Sequence, residues 1–464
     1  MALVAAALAA VALGGSACGD DGNQIKAPAA RTIARGGVGD GAVKGAINVT
    51  VIDAASQDPI PAASVRLGAP SSAAPLTGLT DGTGLVTFLD ATLSGAQTVT
   101  VTASGYAAAT WIGVNGGNVT IPLSRTPAAT PNQAVVEGTI QGWDTRPAPA
   151  DGHMLLAYIF YSSAEPIDQP ANKIPQETWT VPGTSLSLPS NLCIKVGTPA
   201  ISKCAFKLHA RVGKQVHYAI IIDVDTNGTL TNLADDTYTV VDYAFLYGVT
   251  VVGGQAISGE TLVPVGAGGM QTLTVSFAAA PAGQPNLSAV PVIRFGDSGS
   301  IVLTTAGFNS AFLSTKVPVL TGELATGTYE IAAAAKASDP GVSVSSLIID
   351  GVTPGTTVNI GGWMTPPTAI SASAGTYSFT PAADASFHSV GLTKDGELQW
   401  AIAILDGSTS FSLPSLSPSP LPTGQIGMIV EGLRAPGFTA TDFSLADVSA
   451  ATTHLAADGA QVTP

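Results

Sequence analysis

From Gly45 onward this chain repeats one pattern, in which Val, Ile, Leu or an aromatic residue alternates with Thr, Ser or Asn until a Gly, Pro or Asx residue closes the run. Ile47, Val49 and Val51 alternate with Asn48, Thr50 and Ile52, and the run stops at Asp53. Side chains two apart share one face of a strand, so each run offers an apolar face to a core. Helices have little to work with. Charged residues make up only 11% of the 464, so the Glu/Lys pairs that support exposed helices are scarce, whereas 52 Gly and 32 Pro supply tight turns. The fold class expected is all-β, built as tandem β-sandwich domains.

The same pattern recurs at 134–140, 154–161, 216–222, 238–246, 272–277, 300–304, 329–333, 344–349, 398–405 and 426–430. Composition marks the boundaries between units. Residues 19–44 offer nothing to bury, with Asp20-Asp21-Gly22-Asn23, Ala27-Pro28-Ala29-Ala30 and Gly36-Gly37-Val38-Gly39-Asp40-Gly41, and read as a flexible linker. Arg125-Thr126-Pro127-Ala128-Ala129-Thr130-Pro131-Asn132 reads as a second, shorter one. The expected domains are therefore 45–125, 133–289 and 290–464, with 133–464 as a single unit the alternative. Ser415-Leu416-Ser417-Pro418-Ser419-Pro420-Leu421-Pro422 reads as a stiff loop, because strand patterning resumes on both sides.

Within 45–125 the landmarks become specific. Gln57-Asp58-Pro59-Ile60-Pro61-Ala62-Ala63-Ser64-Val65 and Thr80-Asp81-Gly82-Thr83-Gly84-Leu85-Val86-Thr87-Phe88 are each a turn followed by a strand. Thr98-Val99-Thr100-Val101-Thr102-Ala103-Ser104-Gly105-Tyr106 and Val119-Thr120-Ile121-Pro122-Leu123 complete the set. This succession resembles the carboxypeptidase regulatory-like domain. The resemblance implies a small transthyretin-like β-sandwich and an accessory module on surface proteins, with no catalytic activity of its own. Independently of the name, Gly84 and Gly105 supply turn conformations, Phe88 enters the core and Tyr106 packs across the end of the sandwich.

The N-terminus closes an apolar Ala/Leu/Val stretch with Gly14-Gly15-Ser16-Ala17-Cys18-Gly19-Asp20, which resembles the lipobox of bacterial lipoproteins. The resemblance makes 1–18 a signal peptide and Cys18 the lipidated residue, tethering the protein to a membrane. Gly19, rather than Asp, after that Cys implies delivery to the outer membrane, on a face left open. An ordinary secretory signal cleaved near Ala17 is the other reading. Of the 3 cysteines, Cys193 and Cys204 then remain as a pair in an oxidising compartment and are expected to form a disulfide. A net charge of −14 without any basic run excludes nucleic acid as a natural partner.

Three sets of residues invite a chemical reading. Asp223-Val224-Asp225-Thr226-Asn227-Gly228 follows an apolar strand, and side-chain oxygens at positions one, three and five with Gly at six suit calcium. Asp223, Asp225, Asn227 and Asp235 would be the ligands, although the twelfth position is Ala234 where a Glu is usual. An Asx-rich hairpin turn explains the same residues, because Asn-Gly is itself a turn signal. Gly296-Asp297-Ser298-Gly299-Ser300 and Val251-Val252-Gly253-Gly254 resemble pieces of a chymotrypsin-like protease, but no His lies between them, so both read as turns. By alternation His209 and His217 fall on a polar face beside Gly213-Lys214 and read as solvated. Trp363, in Gly361-Gly362-Trp363-Met364, is the Trp best placed on a loop to stack on a sugar.

These features describe a non-enzymatic, membrane-anchored, extracytoplasmic binding or scaffold lipoprotein that meets a protein or glycan ligand through β loops and edges, with no cofactor beyond a structural calcium. The alternatives are a calcium-braced cell-surface adhesin that binds glycans, and a secreted hydrolase whose catalytic groups the sequence does not assemble.

Overall fold

A computed structural model describes residues 26–127, 132–162, 176–180, 187–197, 200–228, 235–303, 312–338 and 343–464. Cys18, Gly19 and Ala234 lie outside these residues. The chain is all-β, and its one α-helix among the described residues is Leu445–Ala451. No helix described is long and apolar enough to cross a membrane.

Eight strands open the fold: β1 (Gly37–Gly39), β2 (Lys44–Asp53), β3 (Ser64–Leu67), β4 (Leu76–Leu79), β5 (Leu85–Ser94), β6 (Gln97–Thr102), β7 (Ala108–Val114) and β8 (Asn118–Leu123). One sheet runs β1-β8-β2-β5, with β1 also paired to the short strand Phe443–Ser444. It faces β7-β6-β3-β4 across a core in which Ile47, Val49 and Val51 from β2 meet Val65, Val99 and Val101, all fully buried. Each such side chain contributes about 1.5 to 3 kcal/mol by leaving water. Gly84 and Gly105 do occupy the left-handed region, at φ +74° and +79°, which a Cβ disfavours.

This sandwich shares one of its sheets with the rest of the chain. β7 pairs in parallel with the strand Glu397–Ile404, in register Trp400↔Ala108 to Ile404↔Ile112. β4, β3, β6 and β7 are thereby one end of a 12-stranded sheet that continues through Glu397–Ile404, Phe387–Lys394, Ile426–Arg434, His454–Val462, Val344–Asp350, Thr328–Lys336, Asn286–Arg294 and Ser300–Val302. The indole Nε1 of Trp400, fully buried, donates to Thr110 Oγ1 at 2.9 Å across this junction. The break expected at 289/290 falls inside the strand Asn286–Arg294, and one core draws on both sides of it, from Leu156 to Ile360. Alternation locates strands one at a time; it does not say which pairs with which.

The remaining large sheet has eight strands, Ile201–Lys203, Leu192–Val196, His153–Tyr161, Gly213–Asp225, Thr237–Val251, Ala256–Pro264, Gln133–Ile140 and Phe206–Arg211 in that order. Its central strands are buried on both faces, which explains the unbroken apolar run Tyr218 to Ile222. Ala157, Ile159, Ala219 and Ile221 turn to one core, while Leu156, Phe160, Ile220 and Ile222 pack towards Ile293 and Ile331 of the long sheet.

Candidate functional site

The linker expectation fails where the described chain begins. Lys26 to Asp40 do not trail from the body; they form a strap laid over the outer face of the β1-β8-β2-β5 sheet. Polar side chains on that face hold the strap by its main chain. Asn48 Nδ2 donates to Pro28 O at 2.9 Å and Asn118 Nδ2 to Ala29 O at 3.0 Å. Asn118 Oδ1 accepts from Arg31 N at 3.3 Å and from Asn48 Nδ2 at 3.0 Å, and Thr120 Oγ1 accepts from Ile33 N at 2.8 Å. Thr87 Oγ1 in turn donates to Asn48 Oδ1 at 2.8 Å. Asn48 and Asn118 are 1% and 0% exposed, and the bonds between Asn48 and Asn118 and between Ile33 and Thr120 are buried.

Arg31 and Asp40 close the strap, Nε to Oδ2 at 2.6 Å, and Asn118 Nδ2 donates to the same oxygen at 2.7 Å. The Arg31 hydrogen bond, with that of Asn118, holds the Asp40 carboxyl below the usual carboxylate range. The strap ends in β1, whose Gly37 and Val38 pair with Thr120 and Val119 on one side and with Ser444 and Phe443 on the other. A composition without apolar runs can therefore be ordered, because the neighbouring sheet supplies the hydrogen bonds. The signal was an Asn at 48 opposite the apolar face of β2, and a second one opening β8.

At the other end of the same module, Asp53 gathers four donors. Its Oδ1 accepts from the amides of Ala55 at 2.8 Å and Ser56 at 3.0 Å; its Oδ2 accepts from Tyr106 OH at 3.0 Å and Arg125 Nε at 2.6 Å. Burial alone would push this carboxyl up, but the donors outweigh it and hold it below the usual range. Tyr106 thus closes the sandwich end, with the Arg125 guanidinium 5.2 Å from its ring centroid.

Asp223, Asp225, Asn227 and Asp235, the residues proposed for calcium, are described, and 229–234 between them lie outside the described residues. Asp223 and Asp225 both lie within the strand Gly213–Asp225, on the face where His153 stands, with His153 Nδ1 3.2 Å from each Asp223 oxygen. Asp225 Oδ1 accepts from Asn227 N at 2.9 Å, and Asn227 Nδ2 donates to the main-chain oxygen of Asp235. Asn227 and Gly228 take φ of 48° and 78°, the backbone of an Asn-Gly turn. Among the described residues no group of three or more His, Cys, Asp or Glu side chains is arranged to hold a metal.

Cys193 and Cys204 are joined, as their pairing predicted, with 11 residues of separation and both buried. Trp363 is half-buried against the large core, its ring nearly parallel to that of Phe277 with 6.5 Å between centroids. Gly296–Ser298 is a 3₁₀ turn between paired strands, as its reading as a turn predicted.

His217 is not solvated. It is 0% exposed, with Nδ1 2.7 Å from Glu260 Oε2 and Nε2 3.2 Å from Gln215 Oε1, and it sits at a register shift between Gln215 and His217. That irregularity upsets the period of two on which the polar-face assignment rested. His209 lies on Phe206–Arg211, a strand that pairs with Gln133–Ile140, so Gly213-Lys214 is not a hairpin between the two histidines. Lys195, also buried, donates to the carbonyls of Trp143 at 3.1 Å, Asp144 at 2.9 Å and Arg146 at 2.6 Å. All three donor positions of its ammonium are used, which is a structural role.

No family model matches the chain, and no curated protein does. Among solved structures, the Bacillus anthracis TIE protein is similar at 11% identity and a TM-score of 0.15, covering 68% of this chain and 49% of its own length. This chain thus spans about half of that protein. BcpA, the major pilin subunit of Bacillus cereus, is similar at 9% identity and a TM-score of 0.16, covering 68% of this chain and 97% of its own. The full-length major pilin SpaD from Corynebacterium diphtheriae stands at 9% identity and a TM-score of 0.15, covering 68% and 96%. Likenesses this distant carry no argument about function.

Proposed function

We propose that this chain is a non-enzymatic, extracytoplasmic β-scaffold tethered to a membrane through Cys18, which offers loops and strand edges to a protein or glycan partner. The observation that carries the reading is the strap: the segment nearest Cys18 is built into a sheet whose opposing sheet runs on to the far strands of the molecule. A tether joined in this way holds a whole body, whereas a flexible stalk holds only its first module. The buried disulfide supports an oxidising compartment. The 45–125 sandwich, read as carboxypeptidase regulatory-like, is then the membrane-proximal part of that body rather than a hinged spacer.

The test is to feed expressing cells a clickable palmitate and compare wild type with Cys18→Ala, followed by protease shaving. Acyl label on the wild type and its loss in the variant, with release of the variant into the soluble fraction, is the expected result. A wild type that carries no label overturns the tether.

A further inference from the structure

The long sheet has one face that the other described residues leave largely uncovered. Along the contiguous strands Asn286–Arg294, Thr328–Lys336, Val344–Asp350, His454–Val462, Ile426–Arg434 and Phe387–Lys394, buried residues alternate with half-buried ones for most of the length. The buried set points into cores, Ile293, Ile331 and Leu347 into one and Val390, Met428 and Val430 into another. The other set is not the polar one that a solvated antiparallel face carries. Val290, Val344, Ile348, Leu455 and Ile429 stand on it among Ala, Ser and Gly, and belong to none of the cores that the described residues form. Phe387 and Leu433 bound it, where they pack into the core of the first module.

Residues directly opposite on neighbouring strands share a face, so the register places Asn286, Lys336, Val344, Ala457, Glu431 and Ser389 in one row across this one. The row is its own complement when turned about its midpoint, between Val344 and Ala457. A two-fold axis there, running along the strands in the plane of contact, lays Lys336 of one copy over Glu431 of the other, Val344 over the smaller Ala457 and Asn286 over Ser389, and repeats each contact in reverse. Within one copy Lys336 and Glu431 are separated by three strand spacings, about 14 Å, too far for an ion pair. Lys336 is exposed, and Glu431 accepts from Ser389 Oγ at 2.8 Å, which fixes its carboxylate on this face. The other charged side chains here, Arg294, Glu330 and Asp350, lie beyond Val290 and Ile348 at the end of the strands, and Arg294 and Glu330 are paired with each other.

We propose that this face is the contact of a homodimer, in which two copies pack as the layers of a β-sandwich do, about 10 Å apart. Six strands at about 4.8 Å make the face about 29 Å wide, and outward residues about 6.8 Å apart along each strand make it about 20 Å tall. That is about 600 Å² per copy and about 1,200 Å² for the pair, the lower bound for a stable specific interface. Dimerisation of this kind requires nothing of Cys18.

The test measures the mass of the full chain by sedimentation equilibrium in a density-matched detergent, so that a lipid on Cys18 does not alter the result. The wild type is expected to be a dimer. Lys336→Glu and Glu431→Lys each set like charges opposite one another twice, and each is expected to raise the dissociation constant at least about tenfold. In an equimolar mixture of the two variants every one of these contacts again joins opposite charges, so a mixed dimer is expected to return, which mixing cannot achieve for a variant that fails to fold. A wild type that is monomeric at about 100 µM overturns the proposal. So do single variants that dimerise as the wild type does, or a mixture that stays monomeric.

Discussion

The side-chain amide of Asn48 and the main-chain carbonyl of Pro28 meet at 2.9 Å, joining the middle of a buried strand to a segment with no strand pattern of its own. Asn118 completes the link, touching Ala29, Arg31 and Asp40. These two uncharged side chains, with Thr120 and the pairing of β1, attach the first described residues to the fold.

Asn118→Ala removes a buried partner from two main-chain groups, Arg31 N and Ala29 O, and from the side chains of Asn48 and Asp40. The expected cost is about 2 to 3 kcal/mol in urea unfolding, together with protease cleavage between residues 26 and 36 under conditions where the wild type resists. A variant that keeps the strap protected would show that Asn48, Thr120 and β1 pairing hold it without Asn118.

The junction between β7 and the strand Glu397–Ile404 turns on Trp400 and Thr110. Thr110→Val keeps the volume but leaves the indole Nε1 without an acceptor, and is expected to lower stability by about 1 to 3 kcal/mol. Calorimetry of the wild type should show the first module melting with the long sheet. A separate early transition in the wild type would contradict the shared sheet.

Replacing both Cys193 and Cys204 by Ser releases a loop of 11 residues' separation. The loop-entropy model sets the loss at about 3 kcal/mol. The check is a urea midpoint with and without the link; because both residues are buried, the folded protein should also resist reduction until it opens.

Acid should weaken the C-terminal half. His388 is buried and its Nε2 accepts from Ala382 N at 3.2 Å, an arrangement only the neutral ring can make, and burial lowers its pKa. Burial, with Arg434 nearby, lowers that of His454 as well. Both folded-state values lie below the unfolded one, so the stability they contribute is full above about pH 6.5 and is lost as the pH falls through the folded values. Unfolding midpoints at pH 7.5 and 5.0 should differ, and His388→Gln should reduce the difference; equal midpoints in the wild type would refute this.

Calcium is expected to leave the melting temperature unchanged, because Asp225 already serves the Asn227 turn and Asp223 faces His153. A rise of several degrees on adding calcium, reversed by chelator, would mean the loop rearranges around the ion.

Taken alone, the sequence determined what depends on neighbours in the chain. Alternation located β2 and the strands near 154, 216, 329 and 426, and Asn227-Gly228 and Gly84 marked turns, because a period of two and a positive φ are properties of adjacent residues. Tertiary structure alone decided the strap, the sheet that runs from β4 to Ser300–Val302, and the burial of His217. Each depends on partners far along the chain: Asn48 is 20 residues from Pro28, and Trp400 is 290 from Thr110. A strand's pattern says that one face must be covered and one edge must be paired; which segment covers and pairs it is settled only when all the strands compete for the same faces and edges in one compact body.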